Sequence, residues 1–441
     1  MILSDLENKN LAIWGLGREG IESYHTLRAL FPAKPLLLIN RERPDNIPDD
    51  DLTSFIPEAD LKDNIGPLDV VIKTPGISLY HPLVTMLKQH GVTITSATNI
   101  WFANRRKKAT TIAVTGSNGK STTCALLQYI LSGLGHKTEL GGNIGTPLLS
   151  LDKNAEYYVI ELSSYQTADL DQAPDIAVLL NLFPEHIDWH QSHEQYFTDK
   201  INLILTGAKI IILNRTDPRI KAMITGLPAD GLWFNDPCAI HYHGKFIWVG
   251  DDSLGLIEDI TLPGNHNLEN ICAALTVCKA LGLDLKKSFK LAASYSGLPH
   301  RLENLGITAG RTYINDSIST TPEATIAALK SFEGRPVTLL AGGQNRNQDY
   351  SSLARYIKDH PGVSVITAYQ TGPAICLALN KIGLSSSVVT AIDLKTSVAI
   401  AKKTTPDGGI ILLSPAAPSY DAFENFEQRG DLFRIYSLKT G

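Results

Sequence analysis

The sequence predicts an α/β protein of three domains, each built on a largely parallel sheet. Short β-branched and apolar runs recur along the chain, stretches of helical spacing separate them, and several runs open at their carboxyl ends into glycine-bearing loops. At roughly 100–200 residues per domain, a chain of 441 residues exceeds one ordinary core.

The first series begins with residues 11–14, which open into Gly15-Leu-Gly17-Arg-Glu-Gly20 ahead of a helical stretch. This is a GxGxxG turn in a strand-to-helix context. The next run, 36–39, closes in Asn40 and Arg41 instead of the acidic residue that holds a dinucleotide ribose, so NAD is disfavoured and a nucleotide diphosphate remains. A third run, 69–72, leads into Lys73-Thr74-Pro-Gly76, positioned to line the same site. Residues 1–99 are expected to form this nucleotide-binding domain.

The second series carries the most specific signal. Residues 110–114 run into Thr115-Gly116-Ser117-Asn118-Gly119-Lys120-Ser121-Thr122, and helical spacing resumes at once. A loop between strand and helix presents backbone N–H groups and a helix N-terminus to an anion. Lys120 then reaches the β/γ-phosphates and Ser121 or Thr122 a Mg²⁺ ion, which makes the chain an expected ATP user. The runs 157–160, 176–180 and 209–213 continue the sheet. Glu161 follows the first of them, beside the phosphate loop, and is the expected Mg²⁺ ligand, because hard Mg²⁺ takes few protein oxygens. His186, after the run ending at Leu180, is a candidate for a second metal. Residues 100–299 form the expected central domain. The runs 337–341, 363–367 and 409–413 then define a third, spanning 300–441.

Composition excludes other classes. A net charge of −5 gives no basic field for nucleic acid. The five cysteines form no CxxC pair, so neither a disulfide framework nor a zinc site is indicated, and a reducing cytoplasm fits. No apolar run of membrane-spanning length occurs, and the expectation is a soluble protein that does not engage a membrane. Two rival classes remain. Against an NAD-dependent oxidoreductase stand Asn40 and the phosphate loop; against a nucleotide-driven switch stand the missing Asn-Lys-x-Asp guanine motif and the number of other motifs.

Those motifs occur in one order: the phosphate loop, Gly141-Gly-Asn143-Ile-Gly145, Glu161-Leu-Ser-Ser-Tyr-Gln166, Gly264-Asn-His-Asn-Leu-Glu-Asn270, Gly297-Leu-Pro-His-Arg301, Asn315-Asp-Ser317 and Phe426-Glu-Gln-Arg-Gly430. Over nearly its whole length the chain resembles the Mur ligases of peptidoglycan synthesis, and within them the glutamate-adding branch. The resemblance implies a monomer that joins glutamate to UDP-N-acetylmuramoyl-L-alanine through an acyl phosphate. It assigns Leu16, Gly17, Arg18, Asn40, Arg41, Thr74, Gly76 and Asn143 to the UDP substrate. Lys120, Ser121 and Glu161 would hold Mg-ATP, with Asn270, Arg301 and Asp316 on the nucleotide and His186 on the second of two ions. Lys200 matches the family lysine that becomes carbamoylated and so joins Lys120 and His186 as a catalytic candidate and metal ligand. Thr320, Arg346, Ser419 and Phe426 match the acceptor side.

One region departs from the pattern of the D-glutamate-adding enzymes. Where they continue Asn-Asp-Ser with Lys, this chain has Ile318; Arg346 replaces a lysine, and Tyr420 a leucine. Arg is a planar fork and Lys a movable point charge, so the acceptor's carboxylates meet different partners. L-glutamate is therefore the expected acceptor, with D-glutamate as the alternative.

Overall fold

A computed structural model describes the chain except residues 45–46, 48–50, 106–107, 186, 226–230, 263, 347, 385–387 and 439–441. Its contacts form two compact units, one of Met1–Thr261 with Asn265–Tyr295 and one of Leu262–Gly264 with Ser296–Gly441.

The first unit contains two sheets. Strands β1 (Leu11–Trp14), β2 (Leu36–Asn40), β3 (Thr53–Pro57), β4 (Val70–Lys73) and β5 (Thr93–Thr95) pair in parallel in the order β3-β2-β1-β4-β5. Side chains alternate across a strand. Leu11, Ile13, Leu38 and Ile72 accordingly pack with Tyr24 and Leu27 on one face, while Ala12, Trp14, Ile39 and Val71 meet Leu61, Val84 and Leu87 on the other. Burial on both faces explains why these runs read as continuously apolar.

The second sheet has nine strands: β6 (Thr110–Thr115), β7 (Thr138–Gly142), β8 (Tyr157–Glu161), β9 (Ile176–Leu179), β10 (Ile210–Asn214), β11 (Leu232–Phe234), β12 (Ile240–His243), β13 (Phe246–Val249) and β14 (Asp252–Leu256). Their order is β14-β13-β12-β11-β10-β9-β6-β8-β7. Pairing is parallel from β7 to β12, and β12-β13-β14 is an antiparallel meander that turns at Gly244, φ +59°. Strand β6 thus lies between β8 and β9, and the carboxyl ends of all three converge.

In the second unit, β15 (Glu303–Thr308), β16 (Arg311–Asn315), β17 (Val337–Ala341), β18 (Val363–Thr367), β19 (Val388–Thr390) and β20 (Ile410–Leu413) run in the order β15-β16-β20-β17-β18-β19. Among the described residues of this sheet only the β15-β16 hairpin is antiparallel. Strand β20 inserts between β16 and β17, so the loops after these three become neighbours. The molecule is therefore α/β, with three parallel-dominated sheets.

Candidate active site

Ligands in open α/β sheets bind outside the carboxyl ends of the strands, where the strand order reverses. Each sheet places predicted residues at such an edge.

In the first sheet, Leu16, Gly17 and Arg18 follow β1, Asn40 and Arg41 end β2, and Thr74 and Gly76 follow β4. The turn after β1 requires glycine twice. A Cβ on Gly15, φ +91°, would lie 2.1 Å from Thr74 Oγ1, and one on Gly20 would lie 1.9 Å from the Gly15 carbonyl. Leu16 N donates to Asn40 Oδ1 at 3.4 Å, which joins two of the loops. Arg41 lines a cavity of about 340 Å³ with Pro57, Glu58, Ala59 and Leu83.

In the second sheet the phosphate loop leaves β6 and enters the helix Lys120–Gly133. Gly119, φ +83°, packs so closely on the helix Asn265–Ala280 that a Cβ would lie 2.3 Å from Asn270 Oδ1. Asn270 is held in turn by Thr123 Oγ1, at 3.3 Å, and by Asn267. Asn181, after β9, clamps the loop from the other side. Its Oδ1 accepts from Asn118 N at 2.8 Å and its carbonyl from Ser117 N at 3.0 Å.

Lys120 Nζ donates to the carbonyls of Gly116 (2.8 Å) and Ser117 (2.7 Å), and Lys200 Nζ donates to Gly116 O as well. The helix His193–Leu205 delivers Lys200, and four residues earlier Tyr196, whose hydroxyl lies 2.8 Å from Ser117 Oγ. Residues four apart share a helix face, so both reach the same loop. Lys200 is only 2% exposed. Burial, reinforced by the nearby charge of Lys120, pushes its amine well below the usual lysine range.

Glu161, at the end of β8, is 1% exposed. Asn143 Nδ2 donates to its Oε1 at 2.6 Å, while its Oε2 has no hydrogen-bond partner among the described residues. A buried, unpartnered carboxylate oxygen beside the phosphate loop fits a hard cation such as Mg²⁺. Among the described residues no three His, Cys, Asp or Glu side chains cluster as a metal site. A set of Glu161 and the Ser121 hydroxyl completed by phosphate oxygens needs no such cluster. His186 lies outside the described residues.

Several side-chain contacts tie the loops of the first sheet to the second. Arg18 donates to the Gly145 carbonyl, and Gln166 Nε2 to Glu19 Oε1 at 2.8 Å. Lys73 and Asp169 form an ion pair at 2.9 Å, 1% and 11% exposed. Trp189 Nε1 donates to the Pro75 carbonyl, and Ser78 Oγ to that of Trp189.

The second unit assembles its own group of motifs. Asp316 Oδ2 accepts from Ser319 (2.6 Å) and Ser414 (2.8 Å), and Oδ1 from Leu302 N. Burial outweighs these bonds and pushes its carboxyl up to about 6, with Arg301 acting in the opposite direction. Gly430 packs on His300, where a Cβ would lie 2.1 Å from Nδ1. Arg429, 1% exposed, donates to Ser317 Oγ, Ser317 O and Ala417 O, and so binds the loops after β16 and β20 together. Thr320, Arg346 and Ser419 follow β16, β17 and β20, the three adjacent strands. Ser419 Oγ is buried without a hydrogen-bond partner among the described residues, Arg346 is exposed, and Phe426 is half-buried, edge-on to His300.

Comparison with known proteins identifies the family. Residues 114–278 match the Mur ligase middle domain. A UDP-N-acetylmuramoyl-L-alanine–L-glutamate ligase of Xylella fastidiosa is 40% identical over 457 residues, covering 99% of this chain and 96% of its own. An enzyme of the same name from Xanthomonas oryzae is 38% identical, covering 98% and 96%. The chain belongs to the Mur ligase family. Solved Mur ligases share its fold. The UDP-N-acetylmuramate–alanine ligase MurC of Thermotoga maritima superimposes with a TM-score of 0.58 at 18% identity, covering 98% of this chain and 100% of its own. MurF of the same organism, determined with ADP, gives 0.57 at 17%, covering 100% and 98%. Among the described residues of this Mur ligase, no helix is long and apolar enough to cross a membrane.

Proposed function

We propose that this Mur ligase is an ATP-dependent, amide-forming enzyme of peptidoglycan precursor synthesis that joins L-glutamate to UDP-N-acetylmuramoyl-L-alanine. The observation that carries the acceptor is the near-full-length identity to enzymes named for L-glutamate. Ile318 and Arg346, where D-glutamate-adding enzymes carry lysines, support it. ATP and a nucleotide-sugar substrate place the reaction in the cytoplasm.

The substrates divide among the sheet edges. The cavity at Arg41 accepts the uracil end, and the turn at Gly15–Gly20 with Thr74 and Gly76 accepts the diphosphate. Asn143 directs the muramoyl portion toward Glu161. Gly116–Thr122 cradle the ATP phosphates, and Asn270, Arg301 and Asp316 serve the nucleotide. Thr320, Arg346, Ser419 and Phe426 receive glutamate, with Arg346 as a fork for one of its carboxylates.

A carboxylate is a poor acyl donor. Its oxygen on the L-alanine residue therefore attacks the γ-phosphorus of ATP, the bond to the β-phosphate oxygen breaks, and ADP leaves an acyl phosphate. The amine of glutamate adds to the acyl carbon and loses a proton as the C–O bond to phosphate breaks. Lys120 neutralises charge gathering on the transferred phosphoryl group. Ser121 and Glu161 would hold Mg²⁺, and His186 and Lys200 a second ion; when bound, the metal would supply charge compensation to the phosphates and the attacking carboxylate. Lys200 serves as its carbamate. Only an unprotonated amine adds to CO₂, and burial beside Lys120 favours that form; the carbamate supplies an anionic oxygen ligand.

The deciding experiment offers the enzyme ATP, Mg²⁺, UDP-N-acetylmuramoyl-L-alanine and equal L- and D-glutamate, and resolves the product diastereomers. A majority of L-product is expected. A majority of D-product assigns the enzyme to the D-glutamate branch, and no ADP with either acceptor removes the ligase reading.

A further inference from the structure

A chain of four hydrogen-bonded side chains crosses the first unit outside the chemistry described so far. Tyr80, in the segment after β4, donates its hydroxyl to Asp199 Oδ1 at 2.7 Å; Asp199 Oδ2 lies 2.5 Å from His190 Nδ1; His190 Nε2 lies 2.9 Å from Ser164 Oγ. Gln195 Nε2 adds a second donor to Asp199 Oδ1 at 2.9 Å. His190 is fully buried, with Ser164 and Asp199 at 3% and 4% exposure. Serine, histidine and carboxylate are connected here as in a hydrolytic triad. The Ser164 hydroxyl, however, belongs to a residue only 3% exposed, so the arrangement serves to hold structure in place.

What it holds is defined by its ends. Ser164 lies three residues after Glu161, Asp199 directly precedes Lys200, and Tyr80 belongs to the segment that continues from Thr74 and Gly76. Gln195 with Asp199, and Tyr196 with Lys200, are two i,i+4 pairs on adjoining strips of one helix. One strip meets His190 and Tyr80, and the other meets the phosphate loop through Ser117 and Gly116. Any rotation of the helix about its axis breaks both sets at once. A fully satisfied buried polar network rigidifies the elements it joins.

We propose that Tyr80, His190 and Asp199 are positioning residues that fix the rotation of the Lys200 helix, and thereby hold the nucleotide-sugar loops and the phosphoryl-transfer site in one frame. The proposal rests on the role given to Lys200 above.

Tyr80→Phe removes one hydroxyl and nothing else. Because misplacement of a catalytic group lowers turnover without weakening substrate binding, kcat should fall about tenfold or more while KM for ATP and for the UDP substrate stays within about twofold. His190→Gln should do the same, and the double variant should lose no more than the worse single one. A wild-type kcat in Tyr80→Phe, a loss confined to KM, or multiplicative losses in the double variant would overturn the proposal. Where His190→Gln fails to fold, Tyr80→Phe alone decides through the kcat and KM split. Lys200→Ala, assayed in parallel, separates the two readings. If it is active, the role of Lys200 fails; if it is inactive while Tyr80→Phe turns over normally, only the relay fails.

Discussion

Lys120 and Lys200 donate to the same oxygen, the carbonyl of Gly116, each at 2.8 Å. Burial, with the charge of Lys120 adding to it, pushes the Lys200 amine well below the usual lysine range. Lys120 is therefore expected to act twice, as a charge partner of the phosphates in the proposed reaction and as a neighbour that lowers the proton affinity of Lys200. Lys120→Ala should lower acyl-phosphate formation by about 10²–10³ and leave the Kd for the UDP substrate unchanged. Single-turnover ADP release and calorimetry read the two effects, and near-wild-type turnover would remove the assignment of the loop.

Lys200→Ala should be nearly inactive, by roughly 10²-fold or more, and should regain part of its rate with formate or acetate, which can occupy the place of the carbamate's oxygens. Wild-type enzyme depleted of CO₂ should slow and recover with bicarbonate. A variant that keeps full activity without added acid would exclude the carbamate.

Arg346→Ala should raise KM for glutamate about tenfold or more, since a bond to a charged group is worth about 1.5–3 kcal/mol, and leave KM for ATP unchanged. Arg346→Lys should recover only part of the loss, because an ammonium cannot form the planar fork. Equal KM values for glutamate in all three enzymes would place the acceptor's carboxylates elsewhere.

Glu19 makes stability depend on pH. Burial, with the charge of Asp169 adding to it, pushes its carboxyl from 4.5 up to about 7. Between those values the folded state binds the proton more tightly than the unfolded chain, so stability falls as pH rises through the window and stays lower above it. Such a displacement corresponds to roughly 3 kcal/mol. Glu19→Gln, which can still accept from Gln166, should therefore melt higher than wild type at pH 8 and lose that advantage at pH 5. Melting profiles that run parallel across this range would rule out Glu19 as the source.

Gly119→Ala should destabilise more than Gly135→Ala. Both glycines have positive φ, +83° and +93°, but a Cβ at 119 meets Asn270 at 2.3 Å whereas one at 135 meets nothing within 4 Å. The shared backbone strain is of order 1 kcal/mol, so the difference in thermal midpoint isolates the contact. Equal shifts would mean that Asn270 moves aside freely.

The fold was legible wherever one residue type had one use. Continuous apolar runs such as 11–14 and 337–341 are buried on both faces, and the glycines at 15, 20 and 119 stand where a Cβ has no room. The meander β12-β13-β14 was not legible, because its strands are short and include His241, His243, Asp252 and Ser253. Within the site, the place of the phosphate loop between β6 and the helix Lys120–Gly133 was legible from sequence. The contacts of Asn181, Arg429 and the relay from Tyr80 to Ser164 were not, although Arg429 and Ser164 stand in motifs, since Tyr80 and Asp199 lie 119 positions apart and nothing local marks them as partners. The adjacency of Asp199 and Lys200 was a further signal, and it has meaning only once the helix face is known.

The buried ion pair between Lys73 and Asp169 limits how genes for such enzymes recombine. A segment ending at residue 99 carries Lys73 without its carboxylate, and Tyr80 without Asp199. A buried charge stripped of its partner costs about 3–5 kcal/mol. Chimaeras with relatives that cross over at 99/100 must therefore inherit both halves of each pair or fold poorly, despite the change of sheet there. A crossover at 295/296, where the compact units part, divides neither pair.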